Sequence, residues 1–118
     1  MSKLVNLEQI RAKNALSEAA QKARKQAKEG DNLSGYPSLI INNGLIAAIA
    51  FSLDKGKQHQ RIADAIAFHL IDRGIIKGTA DAKALRDALC NGDNTTLQQA
   101  THEALQFLSY LKRFQRGN

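Results

Sequence analysis

Between residues 39 and 53, 11 of 15 side chains are apolar. No other stretch restricts the fold as much. Leu39, Ile40, Ile41, Leu45, Ile46, Ala47, Ala48, Ile49, Ala50, Phe51 and Leu53 surround a helix on every side. A helix that is apolar all round belongs in the middle of a bundle. A buried strand could carry the same run, but no second strand-like run exists to pair with it. Pro37 suits the first turn of this helix, where its missing N–H costs nothing. Gly44 falls inside it, at about 1 kcal/mol against alanine, and close packing by a neighbouring helix is the expected reason.

The rest of the chain also reads as helix. Asn6 can cap a first helix, with Gln9 completing a capping box. That helix is expected over 6–29, where Gly30-Asp31-Asn32 stops it. Ala12, Ala15, Leu16, Ala19, Ala20, Ala23 and Ala27 lie on one half of its cylinder. Arg11, Lys13, Lys22, Arg24, Lys25 and Lys28 lie on the other. A third helix, about 58–73, places Ile62, Ile66 and Leu70 at helical spacing and ends at Gly74. A short fourth starts at Thr79 or Asp81, carries Ala82, Leu85, Ala88 and Leu89, and stops at Asn91-Gly92-Asp93. Asn94 or Thr95 caps a long fifth helix to about residue 116. Its seam, Leu97, Ala100, Ala104, Phe107, Leu111 and Phe114, steps alternately by three and four. The expected fold is all-α: a bundle of about five helices with a buried central helix, forming a single domain over 1–118.

Catalytic constellations are absent from the pattern. His59, His69 and His102 include no i, i+4 pair, and His102-Glu103 starts a zincin-like motif that Gln106 fails to complete. His69 and Asp72 stand one turn apart, which fits a partly buried histidine bonded to its own helix better than a metal or acid/base pair. The lone Cys90 allows no internal disulfide and reads as a small apolar residue near a helix end. There is neither a P-loop nor a dinucleotide-binding glycine pattern. No enzyme activity, metal or cofactor is expected.

Charge gives the main functional signal. Seventeen Lys and Arg against 11 Asp and Glu leave a net +6 in 118 residues, which suggests a polyanionic partner. Lys22, Arg24, Lys25 and Lys28 cluster on the first helix with no acid among them, and Lys112, Arg113 and Arg116 occupy an arc of about 100° at the end of the last. Aromatic residues are few and placed like core residues, so contacts to phosphates are expected rather than base stacking. No apolar stretch approaches the ~18 residues of a membrane span, and the start of the chain has no secretory h-region. A cytoplasmic location follows as the expectation.

Two blocks carry a family resemblance. Residues 36–53, YPSLIINNGLIAAIAFSL, combine a proline, apolar residues, a polar pair, Gly-Leu and an apolar run ending near Phe51. Residues 95–116, TTLQQATHEALQFLSYLKRFQR, lead from Glu103-Ala104-Leu105 to Tyr110-Leu111-Lys112-Arg113. Together they cover about a third of the chain and resemble the small subunit of the type III-B CRISPR effector, the Cmr complex. No motif of that family lies within 55–93.

The resemblance implies a non-catalytic subunit. It would stack in several copies as an inner filament, beside other Cmr subunits, with guide RNA and single-stranded target RNA in the groove between. Lys22, Arg24, Lys25, Lys28, Lys112, Arg113 and Arg116 are the RNA-binding candidates from their clustering. Of these, the family motif itself covers only Lys112 and Arg113. The runner-up is a helix-turn-helix DNA-binding regulator built on the third and fourth helices, which offers only Lys83 and Arg86 on its reading helix. A scaffold whose cations meet acidic partner subunits is the third reading.

Overall fold

The computed structural model describes the backbone of residues 6–30 and 32–117, with side chains for all of these except 26–30, 32, 58, 116 and 117. Among the described residues the regular structure is all helix, with seven helices and no strand. They are α1 (Leu7–Leu16), α2 (Glu18–Gly30), α3 (Asn32–Asn43), α4 (Leu45–Lys55), α5 (Lys57–Asp72), α6 (Ala82–Asn91) and α7 (Asn94–Gly117). None of the described helices is long and apolar enough to cross a membrane.

The opening helix expected over 6–29 is two helices. Asn6 does cap α1, accepting from the Gln9 amide at 3.1 Å. The chain then breaks at Ser17, whose backbone is extended (φ −65°, ψ 163°). The Ser17 hydroxyl donates to the Asn14 carbonyl at 2.6 Å and accepts from the Ala20 N–H at 3.3 Å. One serine therefore closes α1 and caps α2. The break turns the alanine stripe: Ala15, Ala20 and Ala23 are buried, while Leu16 is 54% exposed and Ala19 is exposed too.

The apolar run also divides. α3 begins at Asn32, so Pro37 lies inside it rather than in its first turn. Gly44 separates α3 from α4 with φ +95°, and nothing lies within 4 Å of where a Cβ would sit. Gly44 serves a backbone turn that L side chains resist, not a close helix approach. Ile41 (70% exposed) and Phe51 (37% exposed) are left facing water, so a run apolar on all sides is not buried on all sides. Tyr36 locks the two helices together. Its buried hydroxyl lies 2.5 Å from Ser52 Oγ and donates to the Ala48 carbonyl at 3.2 Å. Burial pushes its pKa up to about 12, against the opposing effect of the Ser52 hydrogen bond.

α5 contributes Ile62, Ala63, Ala65, Ile66, Ala67, His69 and Leu70 to the interior, all of them buried. It packs against α2, α4, α6 and α7. At its end Gly74 adopts φ +75°. The Gly74 N–H donates to the Ile71 carbonyl and the Ile75 N–H to the Leu70 carbonyl, the Schellman pattern that stops a helix. Asp81 caps α6, accepting from the Ala84 N–H at 2.8 Å. Asp64 of α5 accepts from the Ala82 N–H at 2.7 Å, joining that helix end to the core. Asp93, rather than Asn94 or Thr95, caps α7 through the Thr96 N–H at 2.8 Å. The expected α7 seam holds: Ala100, Ala104, Phe107 and Leu111 are buried, with Leu97 and Phe114 partly buried at its ends.

Gly44→Ala tests the turn by its sign. Inside a continuous helix the change would stabilise by about 1 kcal/mol. At a positive φ it strains the backbone and costs about 1–2 kcal/mol. Thermal denaturation of this variant is expected to show a lower melting temperature, and a higher one would restore the continuous helix.

Candidate nucleic-acid interface

The α2 cations divide between two tasks. Lys22 and Lys25 are exposed, while Ala20 and Ala23 across the helix are buried. The side chains of Lys28 and Arg116 lie outside the described residues. Arg24 turns back toward α1. Its Nη1 donates to the Ala15 carbonyl and, at 3.3 Å, to the Ser17 carbonyl. The Ala15 carbonyl stands in the last turn of α1, where helix hydrogen bonding has run out, whereas the Ser17 carbonyl also accepts from the Ala20 N–H at 3.1 Å. Burial lowers the Arg24 pKa. Arg24→Ala is expected to cost about 1–2 kcal/mol, the order of a hydrogen bond from a charged donor. Lys22→Ala should leave the denaturation midpoint within about 0.5 kcal/mol. Equal midpoints for the two variants would remove the capping role.

Lys112 and Arg113 have different surroundings. They line a groove of about 660 Å³ between α7 and α3, together with Leu105, Ser109, Pro37 and Ile41. The two sequence blocks that carry the family resemblance meet in this groove. Lys22 lines another, of about 410 Å³, with Arg61 and with the carboxyl groups of Glu18 and Asp64. Within one protomer Lys22 and the Lys112–Arg113 pair thus border separate grooves. On α6, Arg86 is occupied by Asp87 at 2.9 Å, which leaves Lys83 exposed on the helix a DNA-reading regulator would use.

The most organised polar site lies inside the bundle, where α1, α5 and α7 meet. Glu103 is 3% exposed. It accepts from Arg11 Nε at 2.8 Å and Arg11 Nη2 at 2.9 Å, a bidentate pair. His69 Nε2 is 2.8 Å from Glu103 Oε2, and Arg73 Nε is 3.6 Å from the same oxygen. The Asn14 amide nitrogen reaches both His69 Nδ1 (2.9 Å) and Asp72 Oδ2 (3.0 Å). Since that nitrogen donates, Nδ1 accepts, and the proton sits on Nε2, facing the carboxylate. His69 also stacks on Phe107 with centroids 4.5 Å apart. The histidine is therefore bonded to α1 and α7, not to its own helix.

Sequence reading misses this site. Arg11 is expected outside with the lysines, because one continuous helix is assumed through Ser17. The signal was present on α7, where Glu103 lies about 40° from Phe107 and about 20° from Phe114 on a 100° wheel, at the edge of the apolar arc. Burial lowers the His69 pKa, outweighing the Glu103 hydrogen bond, so His69 is neutral at pH 7. Burial opposes the Glu103 charge, but hydrogen bonds from Arg11 and His69 prevail and hold its pKa at about 2. Both folded-state pKa values are depressed, so the unfolded chain binds more protons on acidification. Stability is expected to fall as pH drops below about 6.5 through His69, and again between about 4.5 and 2 through Glu103. His69→Gln should shrink the first step in urea midpoints measured against pH, leaving the part due to His59, whose pKa is also lowered by burial and by Lys55. Glu103→Ala should cost about 3–5 kcal/mol at pH 7, as breaking a buried ion pair does. A flat profile from pH 7 to 5 would contradict the His69 assignment.

Among the described residues no group of three or more His, Cys, Asp or Glu could hold a metal ion. Cys90 is exposed, not packed as an apolar residue. Phe51 meets the His59 ring edge-on at 5.5 Å and carries Lys55 over its face at 5.2 Å.

The fold and charge distribution define a class: a small basic helical bundle with its polar chemistry turned inward and its lysines outward. A crystal structure of a CRISPR-associated Cmr5 family protein from Thermus thermophilus has this fold, with a TM-score of 0.68, 22% sequence identity and 97% of each chain covered. No curated protein matches. The family model described as CRISPR-associated protein (Cas_Cmr5) matches residues 7–118. The chain belongs to the Cmr5 family, the small non-catalytic structural subunits of the type III-B Cmr effector complex.

Proposed function

We propose that this subunit stacks in several copies as an inner filament of the cytoplasmic effector and holds the backbone of guide and target RNA through a basic helix face. The observation that carries the reading is the family match over residues 7–118. The exposed Lys22 and Lys25, on a helix whose opposite face is buried, support α2 as the RNA face. Lys28 continues their spacing along the helix. The α7 end, with Lys112, Arg113 and Arg116, is the second candidate surface. Phosphate contacts of this kind are blind to sequence and weaken with salt. One protomer binds weakly, and neighbours in a filament strengthen each other because later contacts are effectively intramolecular.

The test is binding of a fluorescent single-stranded RNA of about 40 nucleotides across a salt series. The variant is Lys22/Lys25/Lys28→Ala, which spares Arg24 because that side chain holds α1. If about three phosphates are neutralised, log affinity falls with log salt at a slope near −2 for wild type. The variant should give a markedly shallower line. Equal binding by both proteins would move the RNA surface to the α7 end. Absence of binding at low salt would make the cations contacts to protein.

A further inference from the structure

The α3–α7 groove is built unlike the α2 face. Its floor is aliphatic: Pro37 and Ile41, one turn apart on α3, face Leu105 on α7. Ile41 is 70% exposed, the largest such exposure among the described large hydrophobic side chains. Lys112 and Arg113 stand at one end, and no carboxylate lines the groove among the described residues. From residue 105 to 113 α7 rises about 12 Å, enough for two turns of a docked helix. Aliphatic floors beside unpaired cations suit a segment that is apolar on one side and acidic on the other.

We infer that this groove docks an acidic amphipathic segment of another protein, with an apolar side chain against Ile41 and Leu105 and carboxylates on Lys112 and Arg113. RNA is the poorer occupant, because a phosphate backbone gains nothing from covering an aliphatic floor and the lining offers no aromatic face to a base either. A second copy of this chain is the poorer source of such a segment, since its 17 Lys and Arg outnumber its 11 Asp and Glu. The inference goes beyond the RNA reading and divides the surface: α2 for phosphates, the α3–α7 groove for protein. It rests only on the chain being a subunit of a multiprotein complex.

The experiment uses the effector complex assembled from purified subunits and RNA, with a photo-crosslinking benzoylphenylalanine replacing Ile41. Irradiation is expected to join position 41 to a peptide of another subunit in which Asp or Glu flank an apolar residue. A crosslink to RNA, to a second copy of this chain, or to nothing overturns the inference. Ile41→Ser alters an exposed side chain, and its fold is checked by circular dichroism. It should lower incorporation into the complex about tenfold or more, the effect of leaving one aliphatic side chain out of an interface. Its RNA salt slope as an isolated chain should stay at the wild-type value, so failure here is distinct from failure of the RNA reading. Lys112→Glu/Arg113→Glu should also block incorporation. Changing the crosslinked carboxylates to lysine should restore it, and no restoration counts against the groove.

Discussion

Glu103 is a charged carboxylate sealed at the joint of three helices, and much of the bundle is arranged to make that tolerable. An ionised group removed from water is costly unless it is paired and fully hydrogen-bonded. Arg11 supplies a two-bond fork, His69 a third bond, and Arg73 a nearby positive charge. Each donor comes from α1 or from the end of α5, so satisfying the carboxylate sets how those elements lie against α7. The arrangement fixes orientation more than it adds net stability, since a well-packed apolar joint of similar volume can match a buried ion pair. Neutral His69 contributes by linking two acceptor problems: it donates to Glu103 and accepts from Asn14, whose other amide hydrogen goes to Asp72.

The break at Ser17 belongs to the same construction. α1 packs mainly on α7, and α2 mainly on α5. A single straight helix over that span would not lie along both partners. Ser17 interrupts it at little loss, because its hydroxyl serves both helix ends, and Arg24 takes up the Ala15 carbonyl that the interruption leaves. Gly44 does a similar service between α3 and α4, using a conformation open to glycine.

Helical class, the α5 and α6 boundaries and the α7 seam were all legible, because each rests on local signals: apolar spacing, an aspartate cap, a glycine stop. The two breaks were less so. Ser17 sits in a stretch of good helix formers, and nothing in Leu16-Ser17-Glu18 forces an interruption until a tertiary partner makes it worthwhile. Pro37 draws the expected start of the apolar helix too late, because proline past the first turn reads as a helix breaker. The buried polar joint was hidden for another reason. Its members lie 92 and 34 residues from Glu103 along the chain, and helical periodicity says nothing about which helices meet. Of the basic candidates, Lys22 and Lys25 stand where one-sided charge placed them, whereas Arg24 has an internal partner that charge counting could not reveal.

That last difference reaches beyond one residue. Arg11, Arg24, Arg73 and Arg86 all face carboxylates or carbonyls of their own chain, while Lys13, Lys22, Lys25, Lys57, Lys77 and Lys83 are exposed. The division follows side-chain chemistry. A guanidinium offers several donors in a fixed plane and is weakly hydrated, so it suits helix ends and buried carboxylates, whereas an ammonium is best left in water. A net +6 therefore counts charges of two kinds, and the arginines that organise the interior are largely unavailable to a phosphate backbone. What remains on the outside is mostly lysine, strongly hydrated and without a fixed donor geometry. On the proposed RNA-binding function, such a surface suits a ligand whose sequence changes from one guide to the next. The arginine at the α3–α7 groove, Arg113, is exposed and has an aliphatic floor beside it. By the same chemistry it is the cation best suited to a carboxylate of defined geometry, and this is what separates that groove from the lysine face of α2.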